Sequence, residues 1–289
     1  MVKYAPLPKP DAEPIDWELF FCSHVLRLPS LHWGRWRTDE TLSLENLRSA
    51  QERYTMGILD MIPKGVRTIL DVGCGKGDVA KTLGERGYQV TAIAPIANYA
   101  SYLKECELKN VSFEQVKFED FEPAFTFDLI LMSESCGYFG ADAAFSNSDR
   151  CLTTNGHLLI LNPFRKWGNE YCACTHVLAD YLRIAENHGY SLLKSEDITP
   201  EILPTLRLFT KLYTEHIEPG LALAGYFLQK APWRTRFLSK LLGYLFSNDI
   251  GTLKKQSETY LQLLNADLFC RYALYLILLF RKDNGPNET

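Results

Sequence analysis

The chain has 289 residues, of which 46% are hydrophobic and 23% charged. That balance supplies a sizeable core and excludes a disordered, collagen-like or coiled-coil protein. With 31 Lys and Arg against 35 Asp and Glu the formal net charge is -4, so no basic excess draws the whole molecule to nucleic acid, and none is expected as a partner.

Met1-Val2-Lys3-Tyr4-Ala5-Pro6 lacks the apolar segment of a signal peptide, and the longest apolar run, Tyr272 to Phe280, is too short to cross a bilayer as a helix. Of the eight cysteines only Cys172 and Cys174 lie close together. One C-x-C without a second pair does not make a metal site, and none is expected. A chain this long needs no disulfide staples, so reduced thiols and a cytoplasmic protein are expected.

In chain order, the proline-rich stretch to about residue 15 reads as a loosely held arm. Trp17 to Leu28 reads as a short helix, Leu31 to Trp36 as an aromatic loop, and Leu42 to Ile62 as a helix with apolar residues three and four apart. From Lys64 strands and helices alternate. The strands are Val66–Val72, Gln89–Ile93, Val111–Val116, Phe127–Ser133, Gly156–Leu161 and Ser191–Ile198. The helices are Asp78–Arg86, Ile96–Leu108, Ala141–Leu152 and Val177–His188. This spacing predicts a mostly parallel sheet with helices on both faces. About 65 residues of helical character then intervene, from Pro200 to roughly Leu264, before a last strand at Cys270–Arg281. The fold class is α/β: a Rossmann-like, seven-stranded, mostly parallel sheet with N-terminal helices and a helical insertion before the last strand.

Asp71-Val72-Gly73-Cys74-Gly75-Lys76-Gly77-Asp78 joins the first strand of this unit to its first helix. Glycines there let the backbone take positive φ and pass close to a ligand, while the helix N-terminus presents free N–H groups. The spacing G-x-G-x-G lacks the later glycine of a dinucleotide fingerprint and the Lys-Ser/Thr of a phosphate loop. A tight turn that merely joins strand to helix is the alternative.

Ile69 through Gly77 resembles the first motif of the class I S-adenosylmethionine-dependent methyltransferases. Phe127-Asp128-Leu129-Ile130 with Ser133-Glu134-Ser135 is similar to the fourth-strand motif, and Leu152 through Leu161 to the fifth. The resemblance covers about residues 64 to 198 and the last strand. It implies S-adenosyl-L-methionine as cofactor, wrapped at its methionyl end by Gly73, Cys74, Gly75 and Gly77, with Asp71 holding the amino group and Ser133 nearby. Glu119, Asp120 and Phe121 are similar to the segment that embraces adenine. The family usually ends its second strand with an acid for the ribose hydroxyls; here Ala94 stands in that place, followed by Pro95. Either backbone and other side chains hold the ribose, or the pocket is altered.

The resemblance also implies an organisation: an N-terminal arm and helices over 1–63, a cofactor-binding core over 64–199, a helical lid over 200–265, and the last strand and tail over 266–289. Glu134 falls at the carboxyl end of the fourth strand, where ligands of open α/β sheets bind. It is a candidate base or sulfonium partner, or else an ordinary strand-end carboxylate. Tyr138 lies beside it, and His176 is a candidate base or a structural histidine.

Trp33 and Trp36, in the cluster His32-Trp33-Gly34-Arg35-Trp36, are either a hydrophobic plug or a clamp over cofactor and substrate. The insertion holds Phe209, Tyr213 and Tyr226 among many leucines. It reads as a satellite core, a homodimer contact, or an apolar chamber for an alkyl, isoprenoid or acyl substrate. Lys230, Arg234, Arg236 and Lys240 flank its apolar positions, which is compatible with a peripheral contact to an anionic membrane, with a phosphorylated substrate head, or with solvated charge. The whole reads as a methyltransferase of the lid-bearing group that includes cyclopropane fatty-acid synthases and sterol or tocopherol methyltransferases, acting on a small, largely hydrophobic acceptor. A non-catalytic binding protein and a nucleic-acid methyltransferase are the alternatives.

Overall fold

The computed structural model describes residues 21–95, 108–168, 174–230 and 265–283. The chain divides into two compact units, residues 1–202 with 272–289, and residues 203–271.

The first unit is built on a seven-stranded sheet of order β3-β2-β1-β4-β5-β7-β6. The strands are β1 Thr68–Val72, β2 Gln89–Ile93, β3 Val111–Glu114, β4 Phe127–Ser133, β5 Leu152–Arg165, β6 Tyr190–Asp197 and β7 Ala273–Lys282. The first five run parallel, and β7 lies antiparallel between β5 and β6. β1 and β4 are almost continuously buried, as strands covered on both faces must be. Because β1 has β2 on one side and β4 on the other, the strand order reverses there. The reversal opens a crevice at the carboxyl ends, beyond Val72 and Ser133.

Helix α1 (Leu44–Met61) starts at Ser43, whose hydroxyl accepts from the Asn46 N–H at 3.1 Å. Its buried stripe of Leu47, Ala50, Gln51, Tyr54, Ile58 and Met61 follows the helical period, and burying Leu47 or Ile58 contributes about 1.5–3 kcal/mol each. Helix α2 (Asp78–Glu85) leaves the glycine loop, and Gly87 follows it at φ +97. Helices α3 (Ala141–Cys151) and α4 (Leu178–Asn187) pack around Phe145, whose ring lies 5.2 Å from Tyr181 and 5.8 Å from Phe280. The side chains of Phe127, Phe164 and Tyr275 are also buried there or nearby in the unit.

Helix α5 (Thr199–Leu212) begins in the first unit. A one-turn π-helix, Tyr213–Ile217, then leads into α6 (Glu218–Lys230). Leu223, Tyr226 and Phe227 are each more than half exposed on one face of α6.

Several elements differ from the sequence reading. Phe21–Val25 forms a single π-helical turn, and the earlier part of the expected helix lies outside the described residues. So do the arm, most of Ile96–Leu108, Cys172, and the basic and apolar positions beyond 230. Strand β5 runs four residues beyond Leu161, because β7 pairs with it as far as Arg165. Cys270–Tyr272, read as strand, ends helix α7 (Ala266–Tyr272) instead. The Asn265 carboxamide starts that helix by accepting from the N–H groups of Asp267 and Leu268.

Candidate active site

The crevice beyond β1 and β4 has a volume of about 370 Å³ and lies within the first unit. Its floor is the loop after β1. Gly73, Gly75 and Gly77 all take positive φ, at +75, +52 and +75. Gly73 has a second reason to be glycine: a Cβ there would lie 2.5 Å from the Ser135 Cβ. Ser135 is fixed in turn, its hydroxyl donating to the Val72 carbonyl at 2.5 Å. The Gly73 and Cys74 N–H groups donate to the Ile93 carbonyl, which stitches the loop to the end of β2.

Asp71 is 2% exposed and lines the crevice, and its Oδ2 is buried without a hydrogen-bond partner. Burial, with Asp78 nearby, pushes its carboxyl up to about 7. A buried carboxylate lacking a donor is costly, and a cationic ligand group would relieve it. That requirement, with the side-chain-free floor at Gly73, fits the sulfonium amino acid that the sequence motif implies.

Glu134 directly follows β4 in a left-handed conformation, φ +58, which costs a non-glycine residue about 1–2 kcal/mol. Its N–H donates to the Leu161 carbonyl, so the β4–β5 ladder extends to it. Its Oε1 accepts from the Trp33 N–H at 3.1 Å and from the Tyr275 hydroxyl at 2.6 Å. Tyr275 also meets the Tyr54 hydroxyl at 2.9 Å, and Tyr54 meets the Ser133 hydroxyl at 3.0 Å. Burial raises the Glu134 carboxyl above the ordinary carboxylate range.

The segment Leu28–Trp36 packs against the loop as a wall, and its Leu31 and His32 line the crevice. Arg35 donates from Nε to Glu201 at 2.6 Å and from Nη2 to Glu196 at 2.8 Å. These carboxylates raise the guanidinium above its usual value. Gln51 Nε2 donates to the carbonyls of Ser30 and His32, and the Arg35 N–H donates to the Ala50 carbonyl. Gly34, at φ +85, lies so close to α1 that a Cβ would meet the Ala50 carbonyl carbon at 2.9 Å. This wall is preformed.

Of the residues expected at the cofactor, Asp71, Gly73, Cys74, Gly75, Ala94, Pro95, Glu119 and Ser133 line the crevice. Gly77 supports the loop from the N-cap of α2. Asp120 and Phe121 do not line it. The 3₁₀ turn Phe118–Asp120 rotates Phe121 into the core near Phe127 and presents Phe118 to the crevice instead, beside Phe139.

Glu134 and Tyr138 both line the crevice, Tyr138 at the rim and 85% exposed. His176 does not. Its Nε2 donates to the Cys136 carbonyl at 2.8 Å and its ring lies 5.0 Å from Tyr181, so it braces the turn that carries Tyr138. Trp36 is buried and its N–H donates to the Glu201 carbonyl. Trp33 packs its ring 5.6 Å from Tyr275. Phe209, Tyr213 and Tyr226 belong to the second unit. Sequence reasoning passed over Leu31, Lys76, Asp78, Phe118 and Phe139 as lining residues, and Tyr54 and Tyr275 as partners around Glu134. Asp78 was the most legible of these, directly following the last loop glycine.

Among the described residues no group of three or more His, Cys, Asp or Glu could hold a metal ion, and no helix is long and apolar enough to cross a membrane.

A parallel sheet closed by one antiparallel strand, with an acid-glycine loop at its strand reversal, defines the class I S-adenosylmethionine-dependent methyltransferases. The chain belongs to that class: the family model described as a methyltransferase domain matches residues 46–199, more than half its length. No curated protein matches it by sequence. Solved structures are similar in fold. The mycolic acid cyclopropane synthase CmaA1, complexed with SAH and CTAB, is 18% identical with a TM-score of 0.64, covering 89% of this chain and 93% of that one. The geranyl diphosphate C-methyltransferase from Streptomyces coelicolor A3(2) is 15% identical with a TM-score of 0.63, covering 87% and 90%. The [4+2]-cyclase SpnF is 19% identical with a TM-score of 0.62, covering 89% and 88%. The protein is thus an S-adenosylmethionine-dependent methyltransferase, and the crevice is its candidate cofactor site.

Proposed function

We propose that the enzyme methylates a small, largely hydrophobic acceptor. The observation that carries the cofactor half of this reading is the unpartnered, buried Asp71 oxygen beside a glycine floor. When bound, S-adenosylmethionine supplies an electrophilic methyl on a positive sulfur. Gly73, Cys74 and Gly75 would hold its methionyl end, Asp71 its ammonium, and Phe118 with Glu119 the adenine side of the crevice. Ala94 brings no acid to the wall, so ribose contacts would come from backbone groups and neighbouring side chains.

The chain's own contribution to rate is orientation and dryness. Methyl transfer needs the acceptor in line behind the methyl group at roughly 3 Å. Because the cofactor would bring a positive sulfonium, a site that excludes water would favour transfer. The wall over Leu28–Trp36 and the buried tyrosines around Glu134 serve that exclusion. Glu134, held by Trp33 and Tyr275, presents a carboxylate to the crevice, where it would take the proton from an acceptor hydroxyl or ammonium.

Two of the similar folds belong to enzymes named for geranyl diphosphate and mycolic acid. The test is to incubate the protein with methyl-tritiated cofactor and a panel of isoprenoid, fatty-acyl, polyketide and polar acceptors, then extract into organic solvent. Label in the apolar products supports the reading. Transfer confined to polar acceptors would refute the acceptor class, and failure to bind S-adenosylhomocysteine at millimolar concentration would favour a non-catalytic binding protein.

A further inference from the structure

Asp71 is not the only crevice residue with an unused polar atom. His32 lines the same crevice with its side chain 6% exposed, and its Nδ1 is buried without a hydrogen-bond partner. Its other nitrogen is engaged, 3.2 Å from the Thr55 hydroxyl and 3.5 Å from Asp78 Oδ2. The ring itself is fixed, stacked on Tyr54 with centroids 4.2 Å apart. Its carbonyl is also held, accepting from Gln51. The imidazole is therefore oriented by three neighbours, with one nitrogen reserved.

The two unused atoms have opposite chemistry. Asp71 offers an acceptor that demands a cation, and His32 offers a nitrogen that can carry a proton toward an anion. Both belong to one cluster: Asp78 is near enough to Asp71 to act on its charge, and it touches His32. Lys76 adds positive potential on this side. Its buried ammonium lines the crevice and spends one proton on the Leu28 carbonyl at 2.8 Å. Asp78 opposes that potential, though its carboxylate already accepts from the Ser30 hydroxyl, lies 3.5 Å from His32 and sits in the first turn of α2.

We propose that His32 is the carboxylate-binding residue of the cofactor site, so that Asp71 and His32 together grip the two charges of the cofactor's amino-acid end. This rests on the cofactor reading above and extends it by assigning the N-terminal wall a direct contact. The arrangement explains why Leu28–Trp36 is pinned to α1 at Gln51 and Ala50 and to α5 at Glu201: a recognition residue needs a rigid support.

The test compares three ligands by titration calorimetry on the full chain: S-adenosylhomocysteine, 5′-methylthioadenosine, which lacks the amino-acid end, and decarboxylated S-adenosylhomocysteine, which lacks only the carboxylate. His32→Phe keeps the stack on Tyr54 and removes the nitrogens. The expected result is a loss of about tenfold for S-adenosylhomocysteine, with the other two ligands changed less than twofold. Equal affinity of variant and wild type for S-adenosylhomocysteine overturns the proposal, and so does an equal loss for all three ligands, which would make His32 only a wall. Should His32→Phe not fold, nitrogen-15 spectra of the wild-type imidazole, assigned through bonds, decide the matter. S-adenosylhomocysteine must shift the His32 Nδ1 resonance while 5′-methylthioadenosine leaves it in place, and identical responses refute the assignment. Wild type that binds none of the three refutes the cofactor reading first and this proposal with it. Tight wild-type binding with an indifferent His32 refutes this proposal alone.

Discussion

Asp71→Asn should make the cofactor-free protein more stable at alkaline pH while weakening cofactor binding. An acid raised by burial from its ordinary 3.8 to about 7 makes ionisation cost about 4 kcal/mol in the folded chain. Below about pH 4 the folded and unfolded chains both hold the proton, and the group contributes no penalty. Between about pH 4 and 7 the unfolded chain releases it first, so stability falls as pH rises. Above about pH 7 the full penalty applies. Asn removes the charge but leaves a buried amide that itself lacks partners, at about 1–3 kcal/mol, so the net gain at pH 8 is about 1–3 kcal/mol. Thermal melts without cofactor at pH 5, 6.5 and 8 should show Asp71→Asn several degrees above wild type at pH 8, the difference closing toward pH 5. Calorimetry should show at least a tenfold loss of S-adenosylhomocysteine affinity. Wild-type binding at pH 6 should release a proton, because an ammonium ligand favours the ionised carboxylate; repeating the titration in buffers of different ionisation enthalpy counts it. A variant no more stable than wild type at pH 8 would show that the carboxylate already has a partner. Unchanged affinity would show that it receives no ligand.

Gly75→Trp fills the floor of the crevice and should abolish S-adenosylhomocysteine binding by calorimetry with the circular dichroism spectrum retained; unchanged affinity would place the cofactor elsewhere. Tyr275→Phe leaves Glu134 with the Trp33 N–H alone among the contacts described and should destabilise the protein by about 1–3 kcal/mol in urea unfolding. Arg35→Ala leaves Glu196 and Glu201 without their shared cation. It should cost about 1–3 kcal/mol after allowance for partial exposure and expose the Leu28–Trp36 wall to limited proteolysis; a variant as resistant as wild type would show that Arg35 does not secure it.

The parallel sheet and the glycine floor were legible in the sequence because both depend on local pattern. Buried strands such as Ile69–Val72 and Leu129–Met132 are short apolar runs between turns, and the loop's backbone conformation requires glycine at particular positions. Strand β2 and β4 boundaries follow directly from such runs. The helical start at Ala266 was hidden, because Cys270-Arg271-Tyr272 leads straight into the apolar run of β7 and its alternation serves a strand equally well, so that only the cap at Asn265 decides the matter.

The surroundings of the site were decided by the tertiary structure. Phe118 and Phe121 are equally aromatic, and the 3₁₀ turn between them chose which one faces the crevice. Tyr54, Ser133, Glu134 and Tyr275 lie on α1, β4 and β7, far apart in the chain, and no spacing rule links them. His32 stood in a cluster that the sequence left as plug or clamp, and it was singled out only when stacking and hydrogen bonds had used one nitrogen and left the other. Sequence determines what a segment can do by itself; which polar groups are left without partners is a property of the packed chain, since burial and pairing exist only there.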